Sequence, residues 1–142
     1  MFNYWIFVMV EYNDYNMSIV DGLKRLENDK VWKIGERTAN RKNIKKGDRA
    51  LIYSSGEGNR DFVASGILGS EYMNDGRPIY GHAIFEEVTI FSNKVSLKSV
   101  LKNLDFVKNK DIYGSYFQSG IIRIGEKDYN TILKKAKALN RS

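Results

Sequence analysis

The sequence contains no cysteine, one histidine (His82) and one proline (Pro78). Without thiols there is no disulfide framework, no cysteine nucleophile, no thiolate zinc site and no cysteine-ligated iron–sulfur cluster. A single imidazole excludes a two-histidine relay or a histidine-rich metal site within one chain. Long apolar runs are also missing. The longest, Tyr4 to Val10, has seven residues, whereas a bilayer span needs roughly 20. Met1-Phe2-Asn3 before it carries no basic side chain and Glu11 follows it directly, so it does not read as a signal peptide. The run reads as a buried strand and the chain as cytoplasmic, with no membrane partner. No repeat or low-complexity linker interrupts the 142 residues, which predicts a single domain over 1–142.

What is present is enough to build a core. Hydrophobic residues make up 42% and aromatics 13%, which excludes a disordered chain. Lys and Arg number 23 against 17 Asp and Glu, a net charge of +6. That balance favours anionic partners, of which nucleic acid is the commonest.

The apolar pattern places the elements. Residues 4–10, YWIFVMV, form a continuous β-branched and aromatic run, expected as a strand buried on both faces. Ser18 reads as an N-cap, with Asp21 three residues on, before a helix over about 18–28 facing inward through Ile19, Val20, Leu23 and Leu26. Val31-Trp32 resumes apolar character only briefly. Strands follow at 50–54, 61–68 and 79–91, the last bent near Glu86-Glu87. Ser96 caps a second helix through Leu97, Val100, Leu101 and Leu104. Residues 106–120 are irregular, 121–124 a short strand and 126–139 a helix with Tyr129, Ile132, Leu133, Ala136 and Leu139 inward. About five strands joined by short turns predict an α+β fold with a mixed or antiparallel sheet curled into a partly closed barrel.

Few of the polar groups form a catalytic pattern. His82 has no metal-ligand partner at useful spacing. Glu86 and Glu87 are adjacent and so point to opposite faces of a regular strand. Gly56-x-Gly58 lacks the third glycine, the following helix and the Lys-Ser/Thr of a phosphate loop, and reads as a hairpin turn. No cofactor or metal site is expected. The stretch 37–49 is different: Arg37, Arg41, Lys42, Lys45, Lys46 and Arg49 face one carboxylate, Asp48, a net of +5. Cations at this density neutralise phosphates without reading sequence. Trp32 precedes the stretch, flanked by Lys30 and Lys33, and is expected outside regular structure. Tyr53 and Ser54 follow it. Cations beside aromatic rings suit single-stranded nucleic acid. The run 113–119, YGSYFQS, joins ring faces to hydrogen-bonding groups, as a base pocket requires.

These residues, taken in order, resemble the EVE domain family of the PUA-like superfamily, relatives of YTH domains. The resemblance rests on YWI at 4–6, VW at 31–32, KKGDRALIYSS at 45–55, VASGIL at 63–68, NLDFVKNK at 103–110 and SYFQSGIIRIGEKDYNTI at 115–132. It implies a five- or six-stranded pseudobarrel flanked by about three helices, with an aromatic pocket for an extruded, often methylated base. Trp32 would be one wall, with Tyr12 and Asn13 as polar contacts and Tyr53 and Ser54 as the floor. Tyr113 and the run Ser115, Phe117, Gln118 would close the far side. Arg37, Arg41, Lys42, Lys45 and Lys46 would form the phosphate rim. Lys33 stands where the family often has glycine, and the loop at 72–78 is shorter than the one carrying the second pocket tryptophan of YTH domains. The expected partner is RNA or DNA bound by a non-enzymatic module. An RNA- or nucleotide-processing enzyme and a binder of small anionic metabolites are the two alternatives.

Overall fold

The computed structural model describes residues 2–10, 17–56, 58–74, 76 and 80–140. Strand β1 (Tyr4–Val10) is followed by helix α1 (Ile19–Asp29), β2 (Val31–Gly35), β3 (Arg49–Ser55), β4 (Asp61–Leu68), the long β5 (Tyr80–Ser96), the single turn α2 (Leu97–Val100), β6 (Ile121–Ile124) and α3 (Glu126–Leu139). Short 3-10 turns lie at Arg41–Asn43, Leu101–Asn103 and Lys110–Phe117. Among the described residues, no helix is long and apolar enough to cross a membrane.

The six strands form one curled sheet in the order β2-β5-β4-β3-β1-β6. β1 runs parallel to β3, from Tyr4 opposite Arg49 to Val10 opposite Ser55, and every other pairing is antiparallel. The fold is therefore α+β with a mixed sheet, as the sequence predicts. The strand missing from the expectation is β2. Curvature comes largely from β5, whose register against β4 slips at Glu86 and again across residues 91–94. Such extra residues bend and twist a strand. The bend expected near Glu86-Glu87 falls on the first slip. Gly66 lies inside this curl: a Cβ there would sit 2.7 Å from a ring carbon of Phe85. Only a bare backbone admits that ring.

The alternation of β1 supplies two cores. Trp5 and Phe7 face one side, packing with Leu23 and Leu26 of α1, Ile34 and Phe85. Ile6 faces the other, with Val100, Tyr129 and Ile132 beneath the C-terminal helices. Trp5, Ile6 and Phe7 are all fully buried, as a strand covered on both faces requires. Ser18 caps α1, its hydroxyl accepting from the Asp21 N–H at 3.2 Å. Two helix positions differ from the expected pattern. Val20 is exposed because Ile19, Leu23 and Leu26 already define the inward stripe, and Leu139 is exposed in the last turn of α3.

The curl leaves β2 and β6 as the outer strands, and the chain leaving β2 bridges them. The Asn40 side-chain amide donates to the Ile121 carbonyl at 3.0 Å. Asn40 adopts a left-handed φ of 66°, a conformation asparagine tolerates better than most residues. The other end of this loop is held by Asp48. Its buried carboxylate accepts from Trp5 Nε1 at 2.8 Å and from the main-chain N–H groups of Asn3 and Lys45, each at 3.0 Å.

Candidate functional site: an aromatic cleft at the seam of the two cores

A cleft of about 730 Å³ opens at the C-terminal ends of the parallel pair β1 and β3. Its volume falls in the range of small-molecule sites. One wall belongs to the first core and centres on Trp32. The opposite wall belongs to the second core and centres on Tyr53, Phe117 and Tyr113.

Trp32 lies within β2, opposite Ala83 of β5, and not outside regular structure as the sequence suggests. Five residues ending in glycine carry too little alternation to announce a strand. The ring is half-buried. It meets Phe7 at 5.3 Å and Phe85 at 6.4 Å, with interplanar angles of 71° and 74°. Both contacts are near perpendicular, so neither ring stacks face to face on the indole. The indole is braced by these two rings and borders the cleft.

β2 also borders the cleft along the edge turned away from β5. The Phe85 N–H donates to the Lys30 carbonyl at 2.7 Å. Antiparallel alternation then turns the peptide groups of Val31, Lys33 and Gly35 away from β5. The Val31 N–H donates to Asp29 Oδ1, and the Gly35 carbonyl accepts from the Thr38 N–H, both at 3.0 Å.

On the far wall Tyr53 stacks on Phe117, with centroids 4.4 Å apart and planes 27° from parallel. Burial pushes the Tyr53 hydroxyl up to about 12, with the nearby Arg60 guanidinium pulling the other way. The group is therefore a neutral phenol at physiological pH. Arg60 stands just before β4, at the end of the β3–β4 hairpin. Its Nη1 donates to the Tyr113 hydroxyl at 2.9 Å across the cleft mouth. The hairpin turn itself fits the sequence reading: Gly56 and Gly58 have φ of +118° and +79°, values that favour glycine.

Of the anticipated pocket residues, Trp32, Tyr53, Tyr113, Phe117 and Gln118 line this one cleft. Ser54 does not. Strand alternation turns it to the other side, where its buried hydroxyl donates to the Asp61 carbonyl at 3.2 Å. Ser115 does not either; its hydroxyl donates to the Ile112 carbonyl at 3.0 Å within its own turn. Tyr12 and Asn13 lie outside the described residues.

The anticipated phosphate rim is placed elsewhere. Arg37, Lys42, Lys45 and Lys46 are exposed and none lines the cleft. Arg41 is half-buried, with Nη1 donating to the Thr38 carbonyl at 3.1 Å and its guanidinium 5.8 Å from the Tyr72 ring centre. Only Thr38 of this stretch reaches the cleft, because the turn after Gly35 carries the chain away. The cations that do line it are Arg25, Lys33 and Arg60. They come from α1, β2 and the hairpin end just before β4, so no single basic run in the sequence contains them. Arg25 pairs with Asp29 at 3.2 Å. Among the described residues, no carboxylate lines the cleft, and His82 sits apart, its main chain bridged to Met73.

The curled six-stranded mixed sheet with helices on both sides makes this an α+β domain. The family model of the EVE domain matches residues 3–135, and the chain belongs to that family. Solved structures share the fold. Protein Atu2648 from Agrobacterium tumefaciens superposes with a TM-score of 0.67 at 22% identity, over 94% of this chain and 92% of that one. Human THYN1, solved in complex with DNA containing 5-methylcytosine, gives 0.61 at 12% identity, over 95% and 98%. The N-terminal domain of McrB from Staphylothermus marinus gives 0.58 at 10% identity, over 95% and 96%. No curated protein matches the sequence.

Proposed function

We propose that this EVE domain is a non-enzymatic nucleic-acid-binding module, and that its cleft receives one base extruded from an RNA or DNA strand. The observation that carries the reading is the cleft itself. A half-buried indole shares the cleft with a second aromatic wall, with cations and no described carboxylate around it. Stacking a base on such a ring contributes about 1–3 kcal/mol and tolerates any base. Hydroxyls and amides of Tyr53, Thr38 and Gln118 border the same space and can meet the polar edge of a base. THYN1, a protein of the same fold, was solved with DNA containing 5-methylcytosine, which supports the nucleic-acid assignment. General acid–base chemistry near neutrality calls for a group titrating near 7. Among the described residues no carboxylate or histidine lines the cleft, and its phenol Tyr53 stays protonated far above that range.

The test is a fluorescence titration with modified and unmodified nucleosides and short single strands of RNA and DNA. A ligand that stacks on Trp32 should quench its emission, and Trp5, fully buried, should stay silent. Binding of oligonucleotides with no change in Trp32 emission, or unaltered binding by Trp32→Ala, would remove the cleft from the mechanism.

A further inference from the structure

Arg60 differs from the other cations of the cleft. Arg25 is engaged by Asp29, and Lys33 makes its own contacts. The Arg60 guanidinium has, among the described residues, one side-chain partner, and it is neutral: the Tyr113 hydroxyl at 2.9 Å. Its neighbour Asp61 turns its carboxylate to Lys94 at 3.4 Å and to the main-chain N–H of Arg60, not to the guanidinium. The main chain of Arg60 is held on both sides. Its N–H donates to Asp61 Oδ2 at 3.5 Å and its carbonyl accepts from the Leu97 N–H at 2.9 Å. The side chain also runs beside the Tyr113 ring, its guanidinium carbon 5.9 Å from the ring centre. A fixed backbone and a tyrosine tether thus hold a planar five-donor group at the mouth of an aromatic cleft, with its charge uncompensated by any described carboxylate. Guanidinium is the side chain best matched to a phosphate, which it can meet with two parallel hydrogen bonds.

We propose that Arg60 binds the phosphate attached to the nucleoside seated in the cleft, so that the site recognises a nucleotide unit and not a bare base. This rests on the base-binding reading above and adds the ligand class to it. On binding, the phosphate takes guanidinium donors at the cleft mouth while the base lies between Trp32 and the Tyr53–Phe117 pair. The sequence-dense cations of the 37–46 loop are not required for this contact.

The experiment uses the full chain. The probes are deoxycytidine, 5-methyldeoxycytidine, adenosine and N6-methyladenosine, each free and as its 3′- and 5′-monophosphate, with inorganic phosphate alone as the arm without a base. Trp32 quenching reports occupancy by a base, and calorimetry reads inorganic phosphate and every Trp32→Ala sample. A phosphate isomer should bind at least about tenfold more tightly than its own nucleoside. Arg60→Gln should close that gap, so that in the variant the monophosphate binds no more tightly than its own nucleoside. Arg60 is exposed, so the variant should melt as the parent does. Equal affinity of nucleoside and both monophosphates, or a gap that survives Arg60→Gln, would overturn the role of Arg60 while leaving base binding in place. Binding of inorganic phosphate as tight as that of the nucleotide, and insensitive to Trp32→Ala, would also overturn it. Silence of Trp32 toward every nucleoside, nucleotide and oligonucleotide would overturn the base-binding reading and this inference together.

Discussion

Two sets of cations lie near the seam of this protein, and they differ in how they are held. The 37–46 loop has most of its charge in exposed side chains close together in sequence: Arg37, Lys42, Lys45 and Lys46 are open to solvent. The cleft set, Arg25, Lys33 and Arg60, is scattered over three elements that the fold gathers around one space. An exposed flexible lysine interacts with phosphate through a screened field and contributes little to geometry. A guanidinium tethered beside an aromatic wall fixes where the phosphate must lie relative to the base. Charge density in sequence therefore marks general attraction, and charge position in space marks recognition.

The comparison breaks most directly at Trp32. Trp32→Ala should abolish binding of nucleosides and oligonucleotides alike, whatever the cations do. The same change removes packing against Phe7 and Phe85, so it should also cost about 2–3 kcal/mol of stability for a half-buried ring. Trp32→Phe separates the two effects: urea unfolding should return close to the parent value while base affinity recovers only in part. A parent-like affinity for Trp32→Ala would show that the cleft is not the site.

Asp48 tests whether the loop is more than a charged surface. Asp48→Ala strips three donors, Trp5 Nε1 and the N–H groups of Asn3 and Lys45, of their buried acceptor. Denaturant unfolding should report a loss of about 3 kcal/mol. The folded fraction should bind nucleosides as before, because Asp48 and Lys45 do not line the cleft. A drop in nucleoside affinity would tie the loop to the pocket.

Tyr53 gives a pH readout of the wall beside Arg60. The folded phenol keeps its proton to about 12, whereas an unfolded tyrosine releases it near 10. Stability contributed by the neutral buried form is complete below pH 10 and falls as pH rises from 10 to 12, by about 2 kcal/mol. Burial also raises Tyr129, which acts in the same direction. Tyr53→Phe should flatten the alkaline slope in thermal melts across that window; an unchanged slope would place the titration elsewhere.

The smallest effect is expected from the loop. Replacing Lys42, Lys45 and Lys46 together by glutamate should weaken oligonucleotide binding by less than about tenfold at low salt and reduce its salt slope. Nucleoside binding should not change. A larger loss than that of Arg60→Gln, persisting at high salt, would reverse the ranking of the two sets.

The secondary structure was readable wherever one period dominated. Tyr4–Val10 and Asp61–Leu68 are apolar runs of strand length, and the 3.6-residue stripe of α3 marks its boundaries at 126 and 139. β2 escaped because Val31–Gly35 is short and mixes Lys33 with apolar neighbours. It becomes a strand by pairing with β5, a contact some fifty residues away. The site was legible by residue type where large aromatics stood among polar groups, as at Trp32, Tyr113 and Phe117. Ser54 and Ser115 could not be sorted from their neighbours, since which way a hydroxyl faces depends on strand phase and turn closure.

By itself, then, the sequence determined the class of the fold, the two-faced burial of β1, the aromatic composition of the cleft and the order of motifs that marks the EVE domain family. Those properties depend on local periodicity and residue type, which a chain carries before it folds. Tertiary structure alone decided which cations meet the cleft. Arg25, Lys33 and Arg60 come together only because the sheet curls at Glu86 and residues 91–94 and closes through Asn40 on Ile121. A charge acts through its distance and its shielding, and neither exists until the strands are paired.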